Sequence, residues 1–186
     1  MLIFIKMKRE IFSEVEIPEG VKVELAGNSV KVKSGDKELE KKFNLNKLSI
    51  EKKDNKIIIG NKKATKTEKR MTNTISSHIK NMIKGIQEEF EYELKIASSH
   101  FPMTIDLQED KAIIKNLLGE KIPREVKIPK GAEVKIDKDK IKVKSSDREI
   151  AGQTAANFEQ ATKIRMKDRR IFQDGIFITS KGGRKM

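Results

Sequence analysis

Two stretches decide the fold: VKVKSGDKEL at residues 30–39 and IKVKSSDREI at residues 141–150. The match extends without a gap, so that residues 14–39 align with residues 125–150 and 12 of the 26 pairs are identical. The offset of 111 in residue number is far longer than the roughly 20–50 residues of a solenoid repeat. An offset of this size is long enough for a whole small domain, so the sequence predicts a domain duplication.

Both copies have the alternation of a β-hairpin with one buried face. In the first copy Val21, Val23 and Leu25 alternate with polar residues, the chain turns at residues 26–29, and the alternation then resumes. If both copies descend from one domain, their apolar residues should occupy equivalent core positions, because a slip of one residue would turn every side chain over. The expected pairs are Ile17 with Ile128, Val23 with Val134, Leu25 with Ile136, Val30 with Ile141 and Val32 with Val143.

Two segments have the 3.6-residue period of an amphipathic helix. The first covers residues 67–86, with isoleucines and methionines at spacings of three and four. The second covers residues 150–163 and places Ala151, Ala155 and Phe158 on one face. Its small alanines would let this helix lie close against a sheet. The copies differ in one respect, because the first has an extra hairpin between repeat and helix.

The predicted fold class is α+β, with two similar domains that arose by internal duplication. Each domain is expected to be an antiparallel β-sheet packed by one helix. The predicted bounds are residues 1–85 for the N-terminal domain, 86–178 for an rRNA-binding C-terminal domain, and 179–186 for a basic tail.

Composition excludes several classes of protein. The hydrophobic fraction of 36% falls in short periodic runs, which is not typical of a disordered chain. No stretch approaches the roughly 20 apolar residues of a membrane span, and the opening MLIFIKMKRE does not have the pattern of a signal peptide. The chain has no cysteine, which excludes disulfides and thiolate metal sites. We therefore expect a cytoplasmic protein with no membrane partner.

Positive charge is concentrated in two blocks of the chain. Residues 41–80 carry a net charge of +9 and residues 163–186 a net charge of +6, whereas residues 1–40 and 81–162 carry −1 each. A general lysine bias would spread the excess evenly along the chain. The pattern therefore favours a polyanionic partner over simple solubility.

No catalytic or metal-binding signature is present in the sequence. The two histidines, His78 and His100, have no visible partner, and the P-loop, HExxH and GxSxG motifs are absent. The acidic run at residues 88–93 alternates as an exposed strand face would. We expect no catalytic residue, no metal site, no cofactor and no small-molecule substrate.

The last third of the chain carries the most specific motif. Residues 151–182, AGQTAANFEQATKIRMKDRRIFQDGIFITSKG, combine a helix containing AA, F and QAT with a basic KDRR, then FQDGIFI and a final Lys-Gly. This stretch resembles the C-terminal signature of the L-six family of large-subunit ribosomal proteins, in its archaeal and eukaryotic form. The opening of each hairpin repeat resembles that family as well, and the resemblance covers essentially the whole chain.

The resemblance implies a ribosomal protein bound to large-subunit rRNA near the sarcin–ricin loop and the stalk base, where translation factors dock and other ribosomal proteins lie nearby. It also implies that Gly175 forms the turn between the basic run and the last strand. Arginine and lysine in such a stretch neutralise phosphates, and arginine can also fork onto base edges. The residues expected to bind rRNA are Lys163, Arg165, Lys167, Arg169, Arg170, Lys181, Arg184 and Lys185.

A second basic surface is expected where the first helix begins. Its residues are Lys62, Lys63, Lys66, Lys69 and Arg70. A solvated helix face explains them about as well as a second rRNA contact does. Aromatic stacking is expected to contribute little, since most of the eight phenylalanines occupy apolar positions.

Two other functions are alternatives to a structural role in binding rRNA. A stand-alone module for single-stranded RNA would show exposed aromatics on a sheet. A nuclease or RNA-modifying enzyme would need a convergent acid, base or metal cluster. The sequence shows neither feature.

Overall fold

The chain folds into two compact units, Met1–Glu88 and Glu89–Met186, here called the N-terminal and C-terminal units. The computed structural model describes residues 9–35, 37–99, 101–168 and 170–186. None of the helices within these ranges is both long and apolar enough to cross a membrane.

The N-terminal unit consists of six strands followed by one long helix. They are β1 Arg9–Glu16, β2 Lys22–Ala26, β3 Ser29–Ser34, β4 Lys37–Lys42, β5 Ser49–Lys53, β6 Lys56–Ala64 and α1 Lys66–Gln87. The strands form two antiparallel three-stranded sheets, in the orders β1-β6-β5 and β2-β3-β4.

The C-terminal unit repeats this order of elements and then adds a strand pair. Its elements are β7 Phe90–Ala97, β8 Thr104–Leu107, β9 Lys111–Lys115, a short 3₁₀ turn Leu117–Gly119, β10 Arg124–Lys127, β11 Glu133–Asp137, β12 Lys140–Ser145, α2 Arg148–Ala161, β13 Gly175–Lys181 and β14 Arg184–Lys185. The sheets have the orders β10-β9-β8 and β11-β12-β7-β13-β14. The α+β class with two similar units is confirmed, although each unit has two sheets rather than the single sheet expected.

Each unit is built from two halves that exchange a strand. The first half of the N-terminal unit is β1–β3 and the second half is β4–β6. Strand β1 pairs with the β5–β6 hairpin of the second half, while β4 pairs with the β2–β3 hairpin of the first half. The C-terminal unit does the same, because β7 joins the β11–β12 hairpin and β10 joins the β8–β9 hairpin. Neither half can therefore complete a sheet without the other.

One backbone hydrogen bond recurs in all four halves. A residue at the end of the exchanged strand donates its N–H to a carbonyl in the hairpin turn of the other half. In three halves the donor is the first residue after the strand, and in the fourth it is the penultimate residue of the strand. The four bonds are Ile17 to Asn55 at 2.8 Å, Phe43 to Asn28 at 2.8 Å, Ile96 to Asp139 at 2.8 Å and Ile128 to Asp110 at 2.9 Å. Every acceptor is Asn or Asp, the residue types that suit tight turns.

The hairpin registers show what the long repeat represents. All four hairpins share one register, in which Val23 pairs with Val32, Ile50 with Ile59, Ile105 with Ile114, and Val134 with Val143. The repeat at an offset of 111 joins the first of these hairpins to the last, and thus the first half of one unit to the second half of the other. Corresponding second halves, which contain Ile59 and Val143, are instead related by an offset of 84.

Our interpretation of the longer offset as the domain period is therefore wrong, whereas the predicted register is confirmed. The five expected pairs all face a core, as buried residues or as partly buried residues packed against it. The serine that ends the second strand of each of these two hairpins makes the same bond, from Ser34 Oγ to the Gly20 carbonyl at 3.1 Å and from Ser145 Oγ to the Gly131 carbonyl at 2.8 Å. The extra hairpin of the first copy is simply the second half of its unit.

Each helix covers the inner faces of its own unit. The buried face of α1 includes Ile75, Ile79 and Ile83, which pack in the core with the strand residues Ile57 and Ile59. Helix α2 begins at Asp147, whose carboxylate accepts the Glu149 N–H at 2.8 Å as an N-cap. Its buried face is Ala151, Thr154, Ala155 and Phe158, in agreement with the predicted alanine face.

The expected tail at residues 179–186 is continuous with regular structure here. Strand β13 runs through the expected boundary and pairs with β7, and β14 pairs back onto β13. The expected boundary at residue 85 lies in the last turn of α1, whereas the chain divides into the two compact units after Glu88. The division into N-terminal domain, rRNA-binding domain and tail remains a proposal.

Gly60 gives a test of how closely the exchanged strand approaches its partner. A Cβ added at Gly60 would lie 2.2 Å from the Ile11 carbonyl oxygen and 2.9 Å from the Phe12 Cα. Since both are backbone atoms, Gly60→Ala should force β1 away from β6 and destabilise the protein by roughly 1–3 kcal/mol. Urea unfolding followed by circular dichroism measures this.

Gly152 in α2 is the matched control for that substitution. An added Cβ there meets only the Tyr92 side chain, at 3.4 Å, so Gly152→Ala should be neutral or stabilise by up to about 1 kcal/mol through helix propensity. Equal stability of the two variants would show that β1 does not pack against Gly60 as described.

Candidate nucleic-acid interface

The basic run of the C-terminal unit leaves α2 at a fixed point. Thr162, which is buried, donates its hydroxyl to the Phe158 carbonyl at 3.2 Å and accepts the Ile176 N–H at 2.9 Å. One side chain therefore joins the end of α2 to the start of β13. The two ends of the segment between α2 and β13 are therefore fixed relative to each other.

Arg124 on β10 supports the same segment from the other side. Its guanidinium donates to the Ala161 carbonyl at 2.7 Å and to the Lys163 carbonyl at 3.3 Å. It also forks onto Glu120, with N–O distances of 2.8 and 2.5 Å. The Arg124 hydrogen bond lowers the pKa of the Glu120 carboxyl despite some desolvation, and the charges of Arg124 and Lys167 act in the same direction.

The middle of the segment folds back through a turn at Asp168. The Asp168 carboxylate accepts the Arg170 N–H at 2.9 Å, and its carbonyl accepts the Phe172 N–H at 2.9 Å. The Lys167 ammonium lies 4.8 Å from the centre of the Phe172 ring, within the range of a cation–π contact. Local hydrogen bonds thus give the segment its shape, although it contributes little to the core.

The segment ends at the buried residue Asp174. Its carboxylate accepts hydrogen bonds from the Ser99 N–H and, at 2.9 Å, from the Ser99 hydroxyl. Gly175 follows as the first residue of β13 with a φ of 153°. The glycine therefore starts the strand, whereas the resemblance implied a turn at this position.

The eight residues predicted to bind rRNA from the last part of the chain are called the main set. All of its members that the structure describes are exposed on the C-terminal unit. Lys163, Arg165, Lys167 and Arg170 follow α2, whereas Lys181, Arg184 and Lys185 lie on the β13–β14 strand pair. Arg169 lies outside the described residues. Among the described residues, no carboxylate forms an ion pair with any of these seven side chains.

The second predicted set is exposed as well, where β6 ends and α1 begins in the N-terminal unit. Lys62 and Lys63 lie on β6, and Lys66, Lys69 and Arg70 lie on the first turns of α1. Cations near a helix N-terminus oppose the helix dipole, so these residues do not stabilise α1.

Glu68 offsets part of this charge at the start of α1. Its carboxylate accepts the Thr65 N–H at 2.8 Å and the Thr65 hydroxyl, as in a capping box. The hydroxyl bond, followed by the backbone bond, lowers the pKa of Glu68. The cap therefore stays charged, and contributes stability, at any pH above the ordinary range of glutamate.

Several lysines elsewhere on the outer strand faces form ion pairs with neighbouring carboxylates. Lys142 lies 3.7 Å from Glu91 and 3.8 Å from Glu93 on adjacent strands. Lys31 lies 3.2 Å from Glu40, which raises the pKa of the lysine through their hydrogen bond and charge attraction. These exposed pairs contribute little stability, but they neutralise the lysines that take part in them. Part of the positive excess lies on the two predicted sets, and part lies on strand lysines of the N-terminal unit such as Lys52 and Lys53.

Sequence reasoning missed two features of the surface. Arg124 was missed because its role is to hold carbonyls at the end of α2, which is distant in sequence. Exposed aromatics were expected to be lacking, yet Phe12, Phe101 and Phe177 are 48%, 47% and 41% exposed. Phe12 and Phe177 lie on strands. Alternation in a single strand identifies two faces but cannot tell which face remains uncovered.

The described residues contain no group of three or more acidic or histidine side chains that could hold a metal ion. His78 instead lies beside the Phe43 ring, with centroids 6.0 Å apart, and its Nδ1 is 3.4 Å from the Lys41 ammonium. His100 lies outside the described residues.

Three proteins with the same name are similar to the chain along nearly its whole length. Large ribosomal subunit protein uL6 of Methanococcus vannielii is 44% identical over 174 residues, covering 94% of this chain and 96% of that protein. Its namesake in Methanothrix thermoacetophila is 41% identical over 175 residues, covering 94% and 99%. The one in Methanobrevibacter smithii is 42% identical over 171 residues, covering 92% and 96%.

The model of the family described as Ribosomal protein L6 matches the chain twice, at residues 17–89 and 101–175. The starts of the two matches have the same offset, 84, that relates the β5–β6 hairpin to the β11–β12 hairpin. The chain therefore belongs to the ribosomal protein L6 family.

Proposed function

We propose that this protein is a structural constituent of the large ribosomal subunit and binds large-subunit rRNA, with the cytoplasmic ribosome as its location. The observation that carries the proposal is the family match, which falls once on each unit. Proteins of this family are structural constituents of the ribosome and not enzymes. Neighbouring large-subunit proteins are expected partners.

The main rRNA contact is assigned to the segment between α2 and β13 together with the β13–β14 strand pair. Two observations support it: the basic side chains there are exposed and free of described ion pairs, and Thr162, Arg124 and Asp174 hold the segment in place. A held segment loses less conformational entropy on binding than a free tail would. The basic start of α1 is a second contact of the same chemistry.

The family resemblance supports a finer placement, near the sarcin–ricin loop and the stalk base, where translation factors dock. Hydroxyl-radical footprinting of the full-length protein on large-subunit rRNA tests it. Protection of nucleotides in that region is the expected result, and protection elsewhere alone would reject the placement while leaving rRNA binding intact.

Binding to rRNA should weaken steeply as salt rises. Neutralising about 6–10 phosphates costs about 10³–10⁵ in affinity between 50 and 200 mM salt, because bound counterions are released. Filter binding at a series of salt concentrations gives the slope. A flat dependence would mean that the basic sets are solvated surface and that recognition lies elsewhere.

The C-terminal arginines should contribute more than the N-terminal lysines. Changing Arg165, Arg169 and Arg170 to alanine removes three charges, and so does the matched change of Lys62, Lys63 and Lys66. We expect the arginine triple to lose more rRNA affinity, because guanidinium forks onto phosphates and base edges. Both melting temperatures should stay nearly unchanged, since the described side chains are exposed. A larger loss from the lysine triple would make the N-terminal unit the main anchor.

Arg124 and Glu120 should act by positioning the segment. Glu120→Gln increases the net positive charge, so a purely electrostatic interface would then bind rRNA more tightly. If the pair holds the end of α2, the variant should instead bind about twofold to fivefold more weakly, as expected for a partly exposed ion pair.

The same interaction predicts a pH dependence with a definite sign. Because Arg124 lowers the pKa of Glu120, the contribution of the pair is fully present above the ordinary glutamate pKa and is lost as pH falls through the lowered value. The affinity gap between wild type and Glu120→Gln should therefore close only in acid. A gap that is constant down to acid pH, or tighter binding by the variant, would contradict the positioning role.

A further inference from the structure

A groove of about 750 Å³ lies beside the basic segment in the C-terminal unit. Its walls are the end of α2, the start of β13 and the segment that joins them. Ile164, Phe172 and Phe177 provide its apolar surface, while Gln160 and Gln173 provide amide groups. An apolar groove with a few polar groups is the usual form of a site for a small planar ligand.

Phe177 is held rigidly without serving the core. Its neighbours Ile176 and Ile178 belong to the core of the unit, so the alternation of β13 directs Phe177 to the other face, where it is 41% exposed. The strand around it is fixed by pairing with β7, in which Phe177 lies opposite Lys95. The Phe177 side chain therefore faces the groove from a strand whose backbone is already ordered, so little backbone entropy is lost when a ligand binds.

Gly175 makes room for this arrangement. A Cβ at that position would lie 3.3 Å from the Phe177 ring, which is tighter than ordinary packing, and 3.6 Å from Thr162 Oγ1, which is an ordinary van der Waals contact. The Phe177 ring thus lies back over the backbone of Gly175, toward the end of α2.

Charged side chains lie at the edge of the groove, where the Glu159 carboxylate accompanies two ammonium groups. Lys163 is one of its lining residues, and the Lys167 ammonium lies 4.8 Å from the Phe172 ring centre. An apolar surface with ammonium groups at its edge is complementary to a flat aromatic group that carries an anion. A nucleotide has that chemistry, whereas an apolar side chain from a protein partner would leave the lysines without a counter-charge.

We propose that this groove takes one unstacked nucleobase of the rRNA. The base stacks on the Phe177 ring, the phosphate attached to it is neutralised by Lys163 and Lys167, and the amides of Gln160 and Gln173 face the base edge. The inference rests on the proposed rRNA-binding function and adds the chemical class that the groove recognises. Base–aromatic stacking tolerates any base identity, so no base preference is assigned.

The direct test is a titration of the full-length protein with adenosine 5′-monophosphate, followed through the proton signals of the phenylalanine rings by nuclear magnetic resonance. Ribose 5-phosphate is the control, because it has the sugar and the phosphate but no base. We expect the nucleotide alone to shift the Phe172 and Phe177 signals, with no shift at Phe101. Equal shifts from both compounds, or none from either, would overturn the proposal.

The second test measures rRNA affinity of Phe177 variants at constant salt. Phe177→Ala should weaken binding roughly 10- to 100-fold, the usual effect of losing one stacked base, while Phe177→Tyr should bind as wild type does. Phe101→Ala is the matched control, since Phe101 is similarly exposed in the same unit but outside the groove. The salt slope should not change in Phe177→Ala, because no phosphate contact is removed.

Different results would contradict base binding in the groove and rRNA binding by the protein. If wild type binds rRNA and Phe177→Ala binds equally well, the groove inference is wrong and the proposed function stands. If wild type shows no binding to rRNA, the proposed function is wrong, and the mononucleotide titration still decides whether the groove takes a base.

Discussion

The exchange of one strand between the halves of each unit is the constraint on which the rest of the structure depends. A half that keeps only its own strands has an edge without a partner and an inner face without cover. The exchanged strand pairs with that edge. The hydrogen bond from the end of the exchanged strand to the opposite hairpin turn fixes the register between the strands. The four bonds are nearly equal in length, at 2.8 or 2.9 Å, so the same local geometry has been used four times.

This constraint separates the inner residues from the outer ones. Val32, Ile59, Ile114 and Val143 occupy equivalent inner positions in the four halves and are at most 1% exposed. The outer residues are not buried in this way, and on β3, β4, β7 and β12 lysine and glutamate form ion pairs across neighbouring strands. Part of the positive excess lies where α1 begins, where α2 ends and on the β13–β14 strand pair.

The segment after α2 shows how a basic stretch can be ordered with almost no core of its own. Thr162 and Asp174 fix its two ends, Arg124 binds the carbonyls where it begins, and Asp168 turns it back. Each of these contacts is a hydrogen bond between a side chain and either a backbone group or another side chain. The cationic groups that remain are exposed, and one of them, Lys163, lines a groove that also contains the Phe172 and Phe177 rings.

The sequence by itself determined the α+β class, the two helices, the hairpin registers, the location of the positive charge and the family resemblance, because all of these depend on local alternation or on contiguous motifs. The tertiary structure alone decided the meaning of the long repeat, since the equivalence of Val32, Ile59 and Val143 appears only when strands are paired. It also decided the roles of Arg124 and Phe177. Their function depends on carbonyls and faces supplied by other elements, and alternation along one strand specifies which residues share a face but not what, if anything, covers it.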